Sequence, residues 1–234
     1  MFDAEEAHHL ARVLRLAPGD TVRVVDGRGM EFTVRLESIE GRRATGTILA
    51  RAATRTESPL AITLAQGIPK GEKMEWIVRT VTELGVVRLV PLLTERTIVR
   101  LEPGRWRERA RRWQRVAKEA AKQCGRAVVP SVETPRSIQE LADSGWPVDL
   151  PLCLWEGERR GLSEVLDAEK GTVTSLLLVV GPEGGLARRE VEMLEKRGFK
   201  LAGLGPRILR TETAGPAAVA LLQARFGDLG APRP

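Results

Sequence analysis

Five consecutive apolar residues, Leu176 to Val180, run directly into Gly181-Pro182-Glu183-Gly184-Gly185. This junction constrains the fold more than any other stretch. A strand with no polar face is buried on both sides, so it belongs centrally in a sheet covered by helices. The glycines let backbone approach a ligand closely, and the helical pattern of Ala187 to Arg197 brings unpaired amide donors to its start. A second junction follows: Phe199 to Leu204 reads as a short strand ending in Gly205-Pro206, then a polar loop from Arg207 to Ala214, then an apolar helix from Gly215 to Phe226. Thr211 or Thr213 is placed to N-cap that helix, with Pro216 in its first turn. Two glycine turns at the ends of buried strands predict the ligand crevice that open α/β sheets form at strand C-termini.

The spacing excludes the common phosphate motifs. A P-loop needs GxxxxGK[ST] and a dinucleotide fingerprint needs GxGxxG, and GPEGG satisfies neither. Glu183 would repel a pyrophosphate but suits a cationic ligand such as a sulfonium or ammonium. An ordinary strand-to-helix turn would account for GPEGG alone. The second loop, with arginine, two threonines and a glutamate between apolar elements, exceeds what solubility requires.

Upstream, Leu60 to Ala65 reads as a strand, Gln66 to Gly71 as a loop, and Met74 to Leu84 as a helix with Met74, Ile77, Val78, Val81 and Leu84 inward. Val86 to Leu93 is a further strand, so the unit is a parallel crossover. Trp106 to Cys124 predicts a long helix. Its apolar stripe is Trp106, Ala110, Trp113, Ala117, Ala120, Ala121 and Cys124, opposite Arg107, Arg111, Arg115, Lys118 and Lys122. At helical spacing the tryptophans read as core rather than as base-stacking platforms. Val128 to Pro130 is extended, Ile138 to Ala142 and Leu162 to Leu166 are short helices, and Leu150 to Trp155 is a strand.

Met1 to about Arg51 reads as a β-rich unit with a helical entry whose His8, Leu10, Ala11, Val13 and Leu14 face inward. Period-two strands run from Thr21 to Val25, Glu31 to Leu36 and Ala44 to Ala50, with turns at Pro18-Gly19-Asp20, Asp26-Gly27 and Glu40-Gly41-Arg42. Ala52 to Pro59 is a polar linker, which gives domains at 1–58 and 59–234. Arg12, Arg15, Arg23 and Arg28, with Arg35, Arg42 and Arg43, decorate the first unit. Because 37 basic residues face 31 acidic ones and arginine dominates, two readings follow: phosphate contacts to RNA, led by Arg12, Arg15, Arg23 and Arg28, or a solvated surface. The docking reading is preferred. His8 and His9 suit packing or RNA contact better than catalysis. Cys124 and Cys153 form neither a disulfide framework nor a metal quartet and read as core. With no signal-like start and no apolar run near the ~18 residues of a spanning helix, a cytoplasmic location is expected and no membrane partner or metal.

Taken in order, HHLARVLRL, GIPKGEKMEWIVRTVTELGV, RWQRVAKEAAKQCGR, GPEGG and LGPRILRTETA resemble the RsmE family, bacterial 16S ribosomal RNA uracil-N3 methyltransferases of the SPOUT (trefoil-knot) superfamily. The resemblance covers nearly the whole chain. It implies an α/β fold: a C-terminal SPOUT domain with a mainly parallel sheet and a deep trefoil knot, after a small N-terminal PUA-like β-barrel. It implies S-adenosylmethionine bound by the backbone of Gly181, Pro182, Glu183, Gly184 and Gly185, and by Leu204, Gly205, Ile208, Leu209, Arg210, Thr211, Thr213 and Ala214, with the loop around Leu154, Trp155 and Glu156 as a third wall. It further implies a homodimer and 16S ribosomal RNA as partner, within the small ribosomal subunit. Cys124 departs from the small serine-like residue expected there. For the chemistry, Arg210 is the candidate to stabilise charge on the uracil oxygens, and Glu212 to accept the N3 proton or orient Arg210. The rival readings are a ribose 2′-O-methyltransferase of the same superfamily and a non-enzymatic RNA-binding assembly factor.

Overall fold

The structure is a computed structural model that describes residues 1–41, 43–54 and 56–232; the exposed position expected for Arg42 lies outside them. The chain divides into two compact units, Met1–Glu57 and Ser58–Pro234.

In the first unit, helix α1 (Ala4–His8) is N-capped by Asp3, whose carboxylate accepts from the Glu6 amide at 2.8 Å. It continues into a π-helical turn, His9–Val13. Strands β1 (Thr21–Val25), β2 (Met30–Glu40) and β3 (Arg43–Ala53) form an antiparallel sheet in the order β1-β2-β3. Register shifts at Thr33/Val34 and Leu36/Ser38 bend the long β2–β3 ribbon, which closes over a small core of Ala7, Leu10, Leu36 and Ala44. Two expectations are corrected here. The π-turn, closed by the Leu14 amide on the His9 carbonyl, moves side chains off the 3.6-residue period, so Val13 and Leu14 are exposed rather than inward; His8, in α1 ahead of the turn, is exposed beside buried Ala7. β3 also runs to Ala53, through the start of the expected linker.

The second unit is built on a wholly parallel sheet. Its elements are β4 (Ala61–Gly67), α2 (Lys73–Glu83), β5 (Arg88–Leu93), α3 (Pro103–Cys124), β6 (Ser131–Val132), β7 (Arg136–Ser137), α4 (Ile138–Asp143), β8 (Leu150–Leu154), α5 (Leu162–Asp167), β9 (Ser175–Val180), α6 (Arg188–Lys196), β10 (Lys200–Ala202) and α7 (Thr211–Phe226). Strand order is β10-β8-β9-β4-β5-β6, with β7 also on β5. Because strand side chains alternate, each central strand feeds two cores. Ile62, Leu64, Leu176, Leu178 and Val180 meet α2, α3, α5 and α7 on one face, and Ala65, Leu177 and Val179 meet α4 and α6 on the other. Trp106 and Trp113 are buried in the first layer, as their spacing predicts. Cys124, expected in the same stripe, is exposed. It lies in the last turn, where buried Arg126 takes the inward place and donates through Nη1 to the carbonyls of Thr82 (2.9 Å) and Val86 (2.8 Å).

From β4 the chain winds to β5 in one direction, and from β9 it winds through β10 in the other. The reversal falls between β4 and β9, so the loops leaving the carboxyl ends of β8, β9 and β10 diverge around an open crevice.

Candidate active site

That crevice holds about 570 Å³. Its walls are the segments after β8, β9 and β10 together with the start of α7. Of the residues singled out from the sequence, Leu154, Trp155, Gly181, Pro182, Glu183, Gly184, Leu204, Gly205, Ile208, Leu209, Arg210, Thr211, Glu212 and Ala214 all line it. Thr213 does not line it and is exposed.

The reason lies in where α7 begins. The helix starts at Thr211, four residues before the expected Gly215, and its N-cap is Arg210, extended at φ −65° and ψ 149° without a side-chain capping bond. Neither threonine is the cap. Thr213 is two residues into the helix, about 200° round the axis from Thr211, and turns away. The Thr211 hydroxyl is used differently: it donates to the Gly181 carbonyl at 2.6 Å and accepts from Gln66 Nε2 at 2.9 Å. Gln66 is fully buried near the end of β4. These bonds join the end of β4, the first glycine turn and the start of α7.

The glycines answer to specific neighbours. A Cβ on Gly67 would stand 2.5 Å from Pro182 Cδ and 2.7 Å from Gly181 C. Gly185 has φ +69°, and a Cβ there would run into the Glu156 carboxylate. Behind the turn, Arg96 Nη1 donates to the Gly184 carbonyl at 2.7 Å. Buried Glu190 accepts from the amides of Ala187 (2.9 Å) and Glu95 (2.8 Å), which holds the start of α6.

Charge in the crevice centres on Lys73. Its ammonium lies 3.3 Å from Glu183 Oε1 and 3.2 Å from Glu212 Oε1. The Lys70 amide also donates to Glu183 Oε1, at 3.0 Å. The hydrogen bond to Glu212, above all, raises Lys73 beyond the ordinary lysine pKa. Burial pushes the Glu183 carboxyl up, but bonds from its own amide, Lys70 and Lys73 outweigh it and hold the group below the usual range. Glu183 is therefore already matched by a cation, which the argument from repulsion alone did not anticipate. Glu212 Oε2 is buried with no hydrogen-bond partner, and Arg210 is exposed at the crevice edge.

Of the charged lining residues, sequence reasoning missed Lys73 and Glu158. The PKGEK run that leads into α2 carried the signal for Lys73, since two lysines beside a glycine turn exceed what the helix needs. Glu158 closes the loop after β8 by accepting from the amides of Arg159 and Arg160, both at 2.9 Å. In the first unit Arg12, Arg15, Arg23, Arg28, Arg35 and Arg43 are exposed, and Arg23 lies 3.9 Å from Glu31. Among the described residues no cluster of His, Cys, Asp or Glu is arranged to hold a metal, and no helix is long and apolar enough to cross a membrane.

A parallel sheet with a crevice walled by its carboxyl-end loops defines an α/β ligand-binding protein. Residues 56–223 match the RNA methyltransferase domain family and residues 2–49 the RNA methyltransferase PUA domain. The chain is 37% identical over 216 residues to ribosomal RNA small subunit methyltransferase E of Bacillus subtilis, covering 90% of this chain and 84% of that one. It is 36% identical to the protein of that name from Synechocystis, covering 94% and 71%. A crystal structure of ribosomal RNA small subunit methyltransferase E from Neisseria gonorrhoeae bound to S-adenosylmethionine superposes with a TM-score of 0.87 at 34% identity, over 97% of this chain and 92% of that one. A Legionella pneumophila protein in complex with the same cofactor gives 0.87 at 32%, over 97% and 92%. The chain belongs to the ribosomal RNA small subunit methyltransferase E family.

Proposed function

We propose that the crevice binds S-adenosylmethionine and that the chain methylates N3 of a uridine in 16S ribosomal RNA of the small subunit. The observation that carries this reading is Glu212: one carboxylate oxygen is tied to Lys73 and the other is buried, unpartnered and in the crevice wall.

The residues present fit the cofactor. About 570 Å³ lies within the range of small-molecule sites, roughly 300–1,000 Å³. The glycine turn leaves backbone where a Cβ would intrude. The segments Gly181–Gly185 and Leu204–Ala214, with Leu154 and Trp155, would hold the molecule. Bound there, it supplies an electrophilic methyl on a sulfonium. The chain's own contribution is positioning, worth about 7–11 kcal/mol in favourable cases, and charge. Glu212 accepts the N3 proton, with its Oε1 held by Lys73. Arg210 offers its guanidinium to the charge that grows on the uracil oxygens. N3 lies on the Watson–Crick edge, so the target base is unpaired or flipped out.

The test is turnover with small-subunit RNA. Glu212→Gln and Arg210→Ala each lower kcat by about 10²–10⁴-fold with cofactor affinity retained; near-normal turnover in both would remove the assignment.

The first unit is proposed to dock RNA through Arg12, Arg15, Arg23 and Arg28. The protein is proposed to be cytoplasmic and to act as a homodimer, which sedimentation would reveal as a single species of twice the chain mass. The segment Gly203–Arg210 returns from edge strand β10 to the middle of the sheet, where Thr211 joins Gly181 and Gln66. This return supports the proposal that the C-terminal segment threads a trefoil knot. A crystal structure whose backbone trace comes free when drawn out from both ends would remove it.

A further inference from the structure

Helix α3 contains eight basic and two acidic residues, a net charge of +6, which equals the net charge of the whole chain. The N-terminal unit, residues 1–57, is balanced at nine of each. The chain's excess positive charge is thus concentrated on one helix, in neither the crevice nor the unit proposed above to meet RNA.

Packing fixes how that helix presents its charge. Trp106, Ala110, Trp113, Ala117 and Ala120 are buried, so Arg107, Arg111 and Arg115, spaced four apart on another face, form an exposed row. Successive members rise about 6 Å along the axis. Two other arginines of α3 are occupied: Arg112 pairs with Glu72 (3.5 Å) and Glu75 (2.6 Å), and Arg109 lies over the Trp106 ring at 5.9 Å. Among the described residues no carboxylate pairs with Arg107, Arg111 or Arg115. Arg112, next in sequence to Arg111, pairs with Glu72, which immediately precedes Lys73 in the crevice wall.

The chemistry of the row selects its partner. Arginine forks suit phosphate oxygens. Both tryptophans of α3 are buried, so no ring on this face can stack on a base. A protein interface would call for an apolar centre, and none of the exposed large hydrophobic residues lies on α3.

We infer that the Arg107–Arg111–Arg115 face of α3 is a second RNA-docking surface, one that grips phosphodiester backbone without reading bases and supplies much of the electrostatic affinity. It rests on RNA being the substrate, not on which base or atom is methylated.

The experiment compares the full chain with an Arg107→Ala/Arg111→Ala/Arg115→Ala variant. Binding of a labelled single-stranded RNA of mixed sequence is followed by fluorescence anisotropy across a salt series. Each lost phosphate contact removes about 0.7 from the slope of log K against log salt. The variant should therefore lose a slope of about 2 and bind roughly 10²-fold more weakly near 0.1 M salt. Its S-adenosylmethionine affinity and its kcat at saturating RNA should stay unchanged, and the triple lysine variant should keep most of the slope. Alanine is a strong helix former at exposed positions; if the alanine variant melts early, the triple glutamine variant carries the same comparison. Unchanged slope and Kd would overturn the inference. So would RNA binding left intact while binding to poly-glutamate, a stand-in for an acidic protein, is lost. Failure of the parent protein to transfer a methyl group would remove the proposed reaction but leave the salt slope to decide this surface.

Discussion

Gly67→Ala tests the joint between β4 and the first glycine turn. A Cβ at this position would stand 2.5 Å from Pro182 Cδ and 2.7 Å from Gly181 C, about 1 Å inside the 3.5–4.0 Å at which carbon atoms rest. Neither side can yield cheaply. Gly67 is the last residue of β4, in register with Leu92, and its carbonyl accepts from Gln66 Nε2 at 3.1 Å. Gly181 is held by the Thr211 hydroxyl at 2.6 Å. Overpacking costs about 1–3 kcal/mol, and with backbone on the opposing side the upper end applies. At roughly 2–4 °C per kcal/mol for a unit of this size, Tm should fall by about 6–12 °C. Displacing Pro182 deforms the crevice wall, so S-adenosylmethionine should bind at least about tenfold more weakly, a loss of ~1.4 kcal/mol. Differential scanning fluorimetry and isothermal titration calorimetry read the two effects. Gly145→Ala is the control: Gly145 has φ +57° but nothing within 4 Å of a Cβ, so only the left-handed backbone cost of about 1–2 kcal/mol applies, with unchanged cofactor affinity. A Gly67→Ala protein that melts within about 2 °C of the parent and keeps its Kd would refute the packing argument.

Thr211→Val removes the donor to Gly181 and the acceptor for Gln66, and should cost about 1–3 kcal/mol, with Thr211→Ser restoring most of it in a thermal melt. Glu183 and Lys73 set a pH window. Glu183, lowered in the fold, contributes above its unfolded pKa and loses that contribution as pH falls through its folded value; Lys73, raised, contributes below its unfolded pKa and loses it as pH rises through its folded one. As far as this pair governs it, cofactor affinity should be flat from about pH 5 to pH 10, and a tenfold drift within that window by calorimetry would contradict the assignment. For the thiols, burial pushes Cys153 up to about 12, whereas Cys124 is exposed. A chromogenic disulfide reagent should titrate one thiol in the native protein and two in denaturant; two reacting at equal rates would contradict the burial of Cys153.

Much of the fold was legible because its elements obey local periods. The apolar runs of β4 and β9, the stripe of α2 and the stripe of α3 each declare a buried face within a dozen residues. The glycine turn at Gly181 was legible because it interrupts such a run without a helix signal. What was misread depended on distant partners. Thr211 looks like an N-cap in any local window, yet its hydroxyl bonds Gly181, 30 positions away, and Gln66, 145 positions away. Lys73 looks like one more solvated lysine, and its meaning comes from Glu183, 110 positions away, and from Glu212. Val13 and Leu14 were misplaced because the π-turn at His9–Val13 breaks the helical period. Cys124 followed the α3 stripe in sequence, but Arg126 fills the interior at that end of the helix.

The most direct test of the central claim is methyl transfer itself. The purified protein is incubated with S-adenosylmethionine and small-subunit ribosomal RNA lacking the modification, and the RNA is digested and mapped by mass spectrometry. The account predicts one added methyl, on N3 of a single uridine. A methyl on a ribose 2′ oxygen, or no transfer by protein that binds both cofactor and RNA, would contradict it.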